Sequence, residues 1–89
     1  MKLVINCCYG GFSVSKEVYE SLNLDWDGFG FIELERNDPR LVEAVEKLKD
    51  RANGHGSNLK IVDIPNDVDW YIDDYDGIEI VREKHRSWQ

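Results

Sequence analysis

Leu3-Val4-Ile5, followed within a few residues by Gly10-Gly11 and then by Ser15-Lys16-Glu17, describes an apolar strand that enters a tight turn and leaves as a capped helix. An uninterrupted apolar run suits a strand covered on both faces, so residues 2–6 are expected at the centre of a sheet. Ser15 is placed to cap a helix over 16–22, with Val14 and Tyr19 at the two positions of a hydrophobic staple and Val18 and Leu22 as an i, i+4 apolar pair.

The second helix is the most strongly marked element. Asp38 is an N-cap, Pro39 stands at the first helical position where its missing N–H costs nothing, and Leu41, Val45, Leu48 and Ala52 form one apolar stripe. Asn53-Gly54 closes it. Residues 29–36 alternate, with Phe29, Phe31, Glu33 and Glu35 on one side and Gly30, Ile32, Leu34 and Arg36 on the other, which predicts a strand whose buried face changes along its length. Leu59–Ile64 predicts another strand, ended by Pro65. Trp70-Tyr-Ile-Asp73 and Ile78-Glu-Ile-Val-Arg82 predict a hairpin whose Asp76-Gly77 favours positive φ. The expected fold is α+β, a small single domain over 1–89 with two helices on one face of a mixed five-stranded sheet. Right-handed crossovers would join its first three strands.

The net charge is −7, and residues 61–80 carry an equal number of acids, Asp63, Asp67, Asp69, Asp73, Asp74, Asp76 and Glu79, with no Lys or Arg. That field opposes direct binding to nucleic acid, which needs cations to replace counterions on phosphates. No apolar run approaches the roughly 20 residues that span a bilayer. Adjacent cysteines, Cys7 and Cys8, rarely bridge each other, and an unbridged pair fits a reducing cytoplasm.

Two stretches could carry function. In the first, Cys8, Tyr9, Gly10, Gly11, Ser13 and Ser15 offer backbone amides and hydroxyls to a nucleotide-like anion, or serve only as a tight strand-to-helix connection. The first Lys after Cys8 is Lys16, within the helix, so the stretch matches no phosphatase loop, and it lacks the Lys-Ser/Thr pair of a P-loop. A thiol at a helix start can be nucleophilic, with His55 or His85 as its base and Asp38 as orienter, but buried cysteines more often act as small hydrophobes. Cys7, Cys8, His55 and His85 lack zinc spacings, and Asp25-Trp-Asp-Gly28 lacks the glutamate of a calcium loop, Arg36 standing in its place. No metal or other cofactor is expected.

In the second, Asp69, Trp70, Asp73, Asp74, Tyr75 and Asp76 interleave carboxylates with aromatic rings, as a surface for a basic protein partner would. The alternative is an edge kept soluble by charge while Trp70 and Ile72 face the core. Arg82-Glu-Lys-His-Arg-Ser-Trp88-Gln89 could pair with the acidic hairpin internally or across a twofold homodimer.

The N-terminal Met-Lys-Leu-Val-Ile-Asn-x-Cys-Tyr-Gly-Gly-Phe-Ser13, Arg36-Asn-Asp-Pro-Arg-Leu-Val42, Leu59-Lys-Ile-Val-Asp-Ile-Pro65, and Tyr75-Asp-Gly with His85-Arg-Ser-Trp88 give the chain its character. With them it resembles a family of small, mostly uncharacterised proteins encoded by bacteriophages and prophages. The resemblance implies an accessory protein acting in the cytoplasm of an infected bacterial host and carries over no catalytic residue. Small phage accessory proteins usually act by binding, so the first expectation is a non-enzymatic interaction protein directed at a host protein, for example an inhibitor of a defence factor. A nucleotide-like small-molecule binder is the second reading, and a cysteine-dependent enzyme the third.

Overall fold

The computed structural model describes residues 1–84. His85 and Trp88, with the end of the basic tail, lie outside the described residues. In order, the elements are β1 (Lys2–Asn6), α1 (Lys16–Ser21), α2 (Pro39–Leu48), a 3-10 turn (Lys49–Ala52), β2 (Leu59–Asp63), β3 (Trp70–Tyr75) and β4 (Ile78–Glu83). The fold is α+β with both predicted helices, but the described strands form two separate two-stranded antiparallel sheets, β1–β2 and β3–β4, instead of one mixed five-stranded sheet.

β1 is buried after its exposed first residue, Lys2, with Leu3, Val4, Ile5 and Asn6 all inside. It pairs with β2 in the register Lys2 to Asp63 through Asn6 to Leu59. The expected parallel crossovers are absent for a local reason. Val14 bridges Asn53, and the Gly54 N–H donates to the Ser13 carbonyl at 3.3 Å, so the chain leaving α2 returns to the end of the sheet where β1 exits. The Cys7 N–H then meets the Asn58 carbonyl at 2.8 Å, and β2 starts beside the end of β1. Antiparallel pairing is the only direction open to it.

Residues 29–36 keep their alternation without becoming a strand. Gly30, Ile32, Leu34 and Arg36 lie on the inner side throughout, and Phe29, Phe31, Glu33 and Glu35 are exposed, so the buried face does not change. Gly30 has φ +92°, which leaves the extended region, and ladder partners meet only the ends of the run. The Val14 N–H donates to the Gly30 carbonyl and the Val4 N–H to the Arg36 carbonyl, both at 2.9 Å.

Ser15 caps α1, its hydroxyl accepting from the Val18 N–H, and Asp38 caps α2 by accepting from the Arg40 N–H at 2.9 Å. α2 stops at Leu48, earlier than its stripe suggests, because Lys49 turns to φ +54° and the chain tightens. The stripe is still served, Leu41, Val45 and Ala52 all being buried. The tighter turn presents the Arg51 carbonyl to the Ser15 hydroxyl (2.6 Å) and the Ala52 carbonyl to the Ser15 N–H (2.9 Å). Val4, Val14, Val18, Tyr19, Leu41, Val42, Ala44, Val45, Ala52 and Leu59 make the core between the helices and β1–β2.

A buried polar knot joins the second sheet to the first. Asn6 is fully buried, its Nδ2 donating to the Cys8 and Gly77 carbonyls (2.6 Å each) and its Oδ1 accepting from the Asn58 N–H (2.8 Å). Its own N–H donates to Glu79 Oε1 at 2.8 Å. Arg36 grips the same carboxylate with two nitrogens, Nη1 to Oε1 at 2.5 Å and Nη2 to Oε2 at 2.7 Å, while its guanidinium lies 3.5 Å above the Phe12 ring. Glu79, counted with the acidic field in the sequence, is thus an interior group.

Candidate functional site

Of the six residues of the glycine-turn stretch, Gly10 and Ser13 come together with Gly28, Phe29, Phe31 and His55 around a cleft of about 350 Å³. Two hydrogen-bonded neighbours set its shape. Val14 is tied to Gly30 on one side, and Ser13 to Gly54 on the other, so the Phe29–Phe31 loop and the His55 turn flank Ser13. A Cβ on Gly10 would overlap the Gly56 carbonyl, so only glycine allows the turn after β1 to press against the His55 loop.

Asp27 builds the aromatic side. Its carboxylate accepts from three successive backbone N–H groups, Phe29 at 2.7 Å, Gly30 at 2.6 Å and Phe31 at 3.1 Å. With Gly28 at φ +86° and Gly30 at +92°, these bonds fold the loop back so that both phenyl rings face outward. The rings are parallel within 7°, their centroids 6.0 Å apart, and remain 70% and 65% exposed. Behind them Tyr19 meets Trp26 edge-on at 5.0 Å.

The amide of Gly30 foremost, with those of Phe29 and Phe31 and the Tyr19 hydroxyl, holds the Asp27 carboxyl below its ordinary value against a smaller opposing effect of burial. A carboxyl whose pKa is lowered by folding stabilises the fold fully above its unfolded pKa, about 3.9, and loses that contribution as pH falls through the lowered value. The Phe29–Phe31 amide resonances are therefore expected to hold their dispersion down to about pH 4 and lose it below. Asp27→Asn should show the loosened loop already at neutral pH, and an unchanged spectrum for that variant would contradict the role given to Asp27.

The lining contains no Lys or Arg. Ser13 is 5% exposed, and its hydroxyl has no hydrogen-bond partner among the described residues, whereas its carbonyl takes bonds from Gly54 N–H and the Ser57 hydroxyl. Ser15 is occupied as the α1 cap, and Cys8 contributes its carbonyl to Asn6. Tyr9 is exposed and, with Gly11, lies against the hairpin tip at Gly77, away from the cleft lining. Cys7 and Cys8 are half-buried and unbridged. Among the described residues no three His, Cys, Asp or Glu side chains gather as metal ligands, and no helix is long and apolar enough to cross a membrane.

Sequence reasoning missed Phe29, Phe31 and His55 as neighbours of Ser13. One signal was present: two phenylalanines share the side of an alternating run that otherwise carries Glu33 and Glu35.

The acidic stretch forms a two-residue hairpin, with Asp76 at φ +52° and Gly77 at φ +92°. Its members have unequal jobs. Asp74 accepts from the Gly77 N–H at 2.8 Å, closing the turn, and Asp73 pairs with Arg82 at 2.7 Å. Asp69 and Asp76 form no ion pair among the described residues. Trp70 and Ile72 share the face of Glu79, which turns to β1, and are half-buried outside the main core cluster. Tyr71, Asp73 and Tyr75 share the opposite face with Ile80 and Arg82. There Tyr71, Tyr75 and Ile80 are exposed, Tyr75 by 74%.

Comparison of the chain with protein-family models, with curated proteins and with solved structures finds no match.

Proposed function

We propose that the chain is a small phage accessory protein that works by binding, offering the outer face of β3–β4 to a basic surface of a host protein, such as a defence factor that it inhibits. The observation that carries this reading is the placement of the hairpin. It is a separate two-stranded sheet joined to β1 through its tip and Glu79, with Tyr71, Tyr75 and Ile80 exposed on one face beside the Asp73–Arg82 pair, and with the carboxylates of Asp69 before β3 and Asp76 at the turn in no ion pair among the described residues. A two-stranded ribbon is marginal in water by itself, and a partner that covers this face adds what the ribbon lacks. Exposed tyrosines supply contact area at low entropic cost, while the acidic field steers a cationic surface toward them.

The reading is tested by retaining proteins from a bacterial host lysate on the immobilised full chain and mapping cross-links on the retained protein. Tyr71→Ala/Tyr75→Ala and Asp67→Lys/Asp69→Lys, all exposed positions, should leave unfolding unchanged and weaken the interaction at least about tenfold, with cross-links falling on the hairpin. Retention of nothing by the native chain, or equal retention by both variants, overturns it.

A second reading, a small-molecule binder, is favoured by the cleft around Ser13.

A further inference from the structure

We infer that the cleft between Phe29, Phe31 and His55 is a binding site for a flat, uncharged heteroaromatic ring of nucleobase size. The inference rests on the small-molecule reading and replaces its anionic ligand with a ring.

The exposure of Phe29 and Phe31 is imposed by the structure and is not a failure to fold. Every inner position of the same run is covered, so the chain could have buried these rings by a one-residue shift of its alternation. Instead three amide bonds to Asp27 and two glycines at positive φ hold them outward. Rings fixed in parallel lose little freedom when a planar ligand stacks on them, and every heteroaromatic ring has a π face to offer.

Charge decides against a phosphate. The lining has no Lys or Arg, the chain has a net charge of −7, and Glu33 and Glu35 follow Phe31 on the same exposed side. His55 supplies ring nitrogens that can meet the edge of a heterocycle. The size fits as well, since about 350 Å³ is near the lower end of small-molecule pockets, roughly 300–1,000 Å³, and suits one ring system.

Ser13 supplies the specificity. A buried hydroxyl without a partner is unusual and costly, and a ligand atom able to donate or accept would complete it. Ser13 lines the cleft beside Gly54, which sets that hydroxyl next to the space a ring would enter.

The test is a titration of the full chain with adenosine, guanosine, cytidine and uridine, followed by two-dimensional NMR, with adenosine monophosphate run alongside. At least one nucleoside should shift the Gly28–Phe31 amides and the His55 ring signals. Phe29→Ala and Phe31→Ala should each weaken binding about 5- to 150-fold without lowering the melting temperature, because both rings are mostly exposed. Ser13→Ala should weaken it about tenfold while the melting temperature stays or rises, a combination that a merely structural serine would not give. No shift with any nucleoside, or undiminished binding in Phe29→Ala/Phe31→Ala, overturns the inference. Binding of the monophosphate alone would sink the ring while sparing the small-molecule reading, and binding of no probe would sink both.

Discussion

Glu79→Ala is expected to lower unfolding stability by about 3–5 kcal/mol, read from the urea midpoint of the full chain. The side chain is 4% exposed, and its carboxylate takes both Arg36 nitrogens and the Asn6 N–H. Truncation leaves a guanidinium paired only with the Phe12 face and the Val4 carbonyl, and a buried amide with no acceptor. Either defect alone costs on the order of 1–3 kcal/mol, and here they share one cavity. Glu79→Gln discriminates charge from geometry. Its single amide oxygen can keep the bonds from the Asn6 N–H and Arg36 Nη1, but its Nε2 faces Arg36 Nη2 donor to donor, so a loss of about 1.5–3 kcal/mol, smaller than that of alanine, is expected. An alanine variant within about 0.5 kcal/mol of the native chain would show that the pair does not join the two sheets.

That pair marks where the sequence stops being legible. The caps Ser15 and Asp38, the helix starts at Lys16 and Pro39, and the Asp76-Gly77 hairpin were readable because each depends on residues within a few positions of one another. The pairing of β1 with β2 was not, because it follows from contacts of Ser13 and Val14 with residues about 40 positions away. Residues 29–36 show the intermediate case. Period-two alternation correctly separated Ile32, Leu34 and Arg36 from Glu33 and Glu35, but alternation describes an extended chain and says nothing of whether a neighbour completes the ladder. Arg36 on the inner side was itself a hint, since a cation there needs a buried anion, and a regular strand position such as Glu79 is where one can sit.

The candidate cleft was half legible for the same reason. Gly10 and Ser13 follow from the glycine turn after a strand, a local pattern. Phe29 and Phe31 reach them only because the Gly30 carbonyl accepts from Val14, and His55 only because Gly54 binds Ser13. Both contacts need glycine. A Cβ on Gly30 would overlap the Val14 carbonyl, and one on Gly54 would overlap the Ser13 hydroxyl, so the spacing of glycines records where backbones meet without saying which ones.

Gly77→Ala should be nearly as damaging as losing Glu79, at about 2–4 kcal/mol, although it adds a single methyl group at a turn. Two costs combine. Gly77 stands at φ +92°, where a Cβ carries strain on the order of 1–3 kcal/mol. The added Cβ would also lie 2.5 Å from the Tyr9 carbonyl oxygen and 2.6 Å from the Gly11 nitrogen, both backbone atoms that cannot rotate aside. Relief requires the tip to lift from the 9–11 turn, which breaks the Asn6 Nδ2 bond to the Gly77 carbonyl, about 1 kcal/mol more, and tilts Glu79 away from Arg36. Asp76→Gly supplies the control. Its residue is also left-handed, at φ +52°, so glycine relieves strain there, and that variant should unfold within about 0.5 kcal/mol of the native chain. Because the tip is clamped while the outer face of the hairpin is open, Gly77→Ala should shift the amide resonances of Tyr9, Gly11 and Asn6. If it left those three in place and the urea midpoint unchanged, the hairpin would be anchored elsewhere, and the rigid presentation of Tyr71 and Tyr75 to a partner would need another cause.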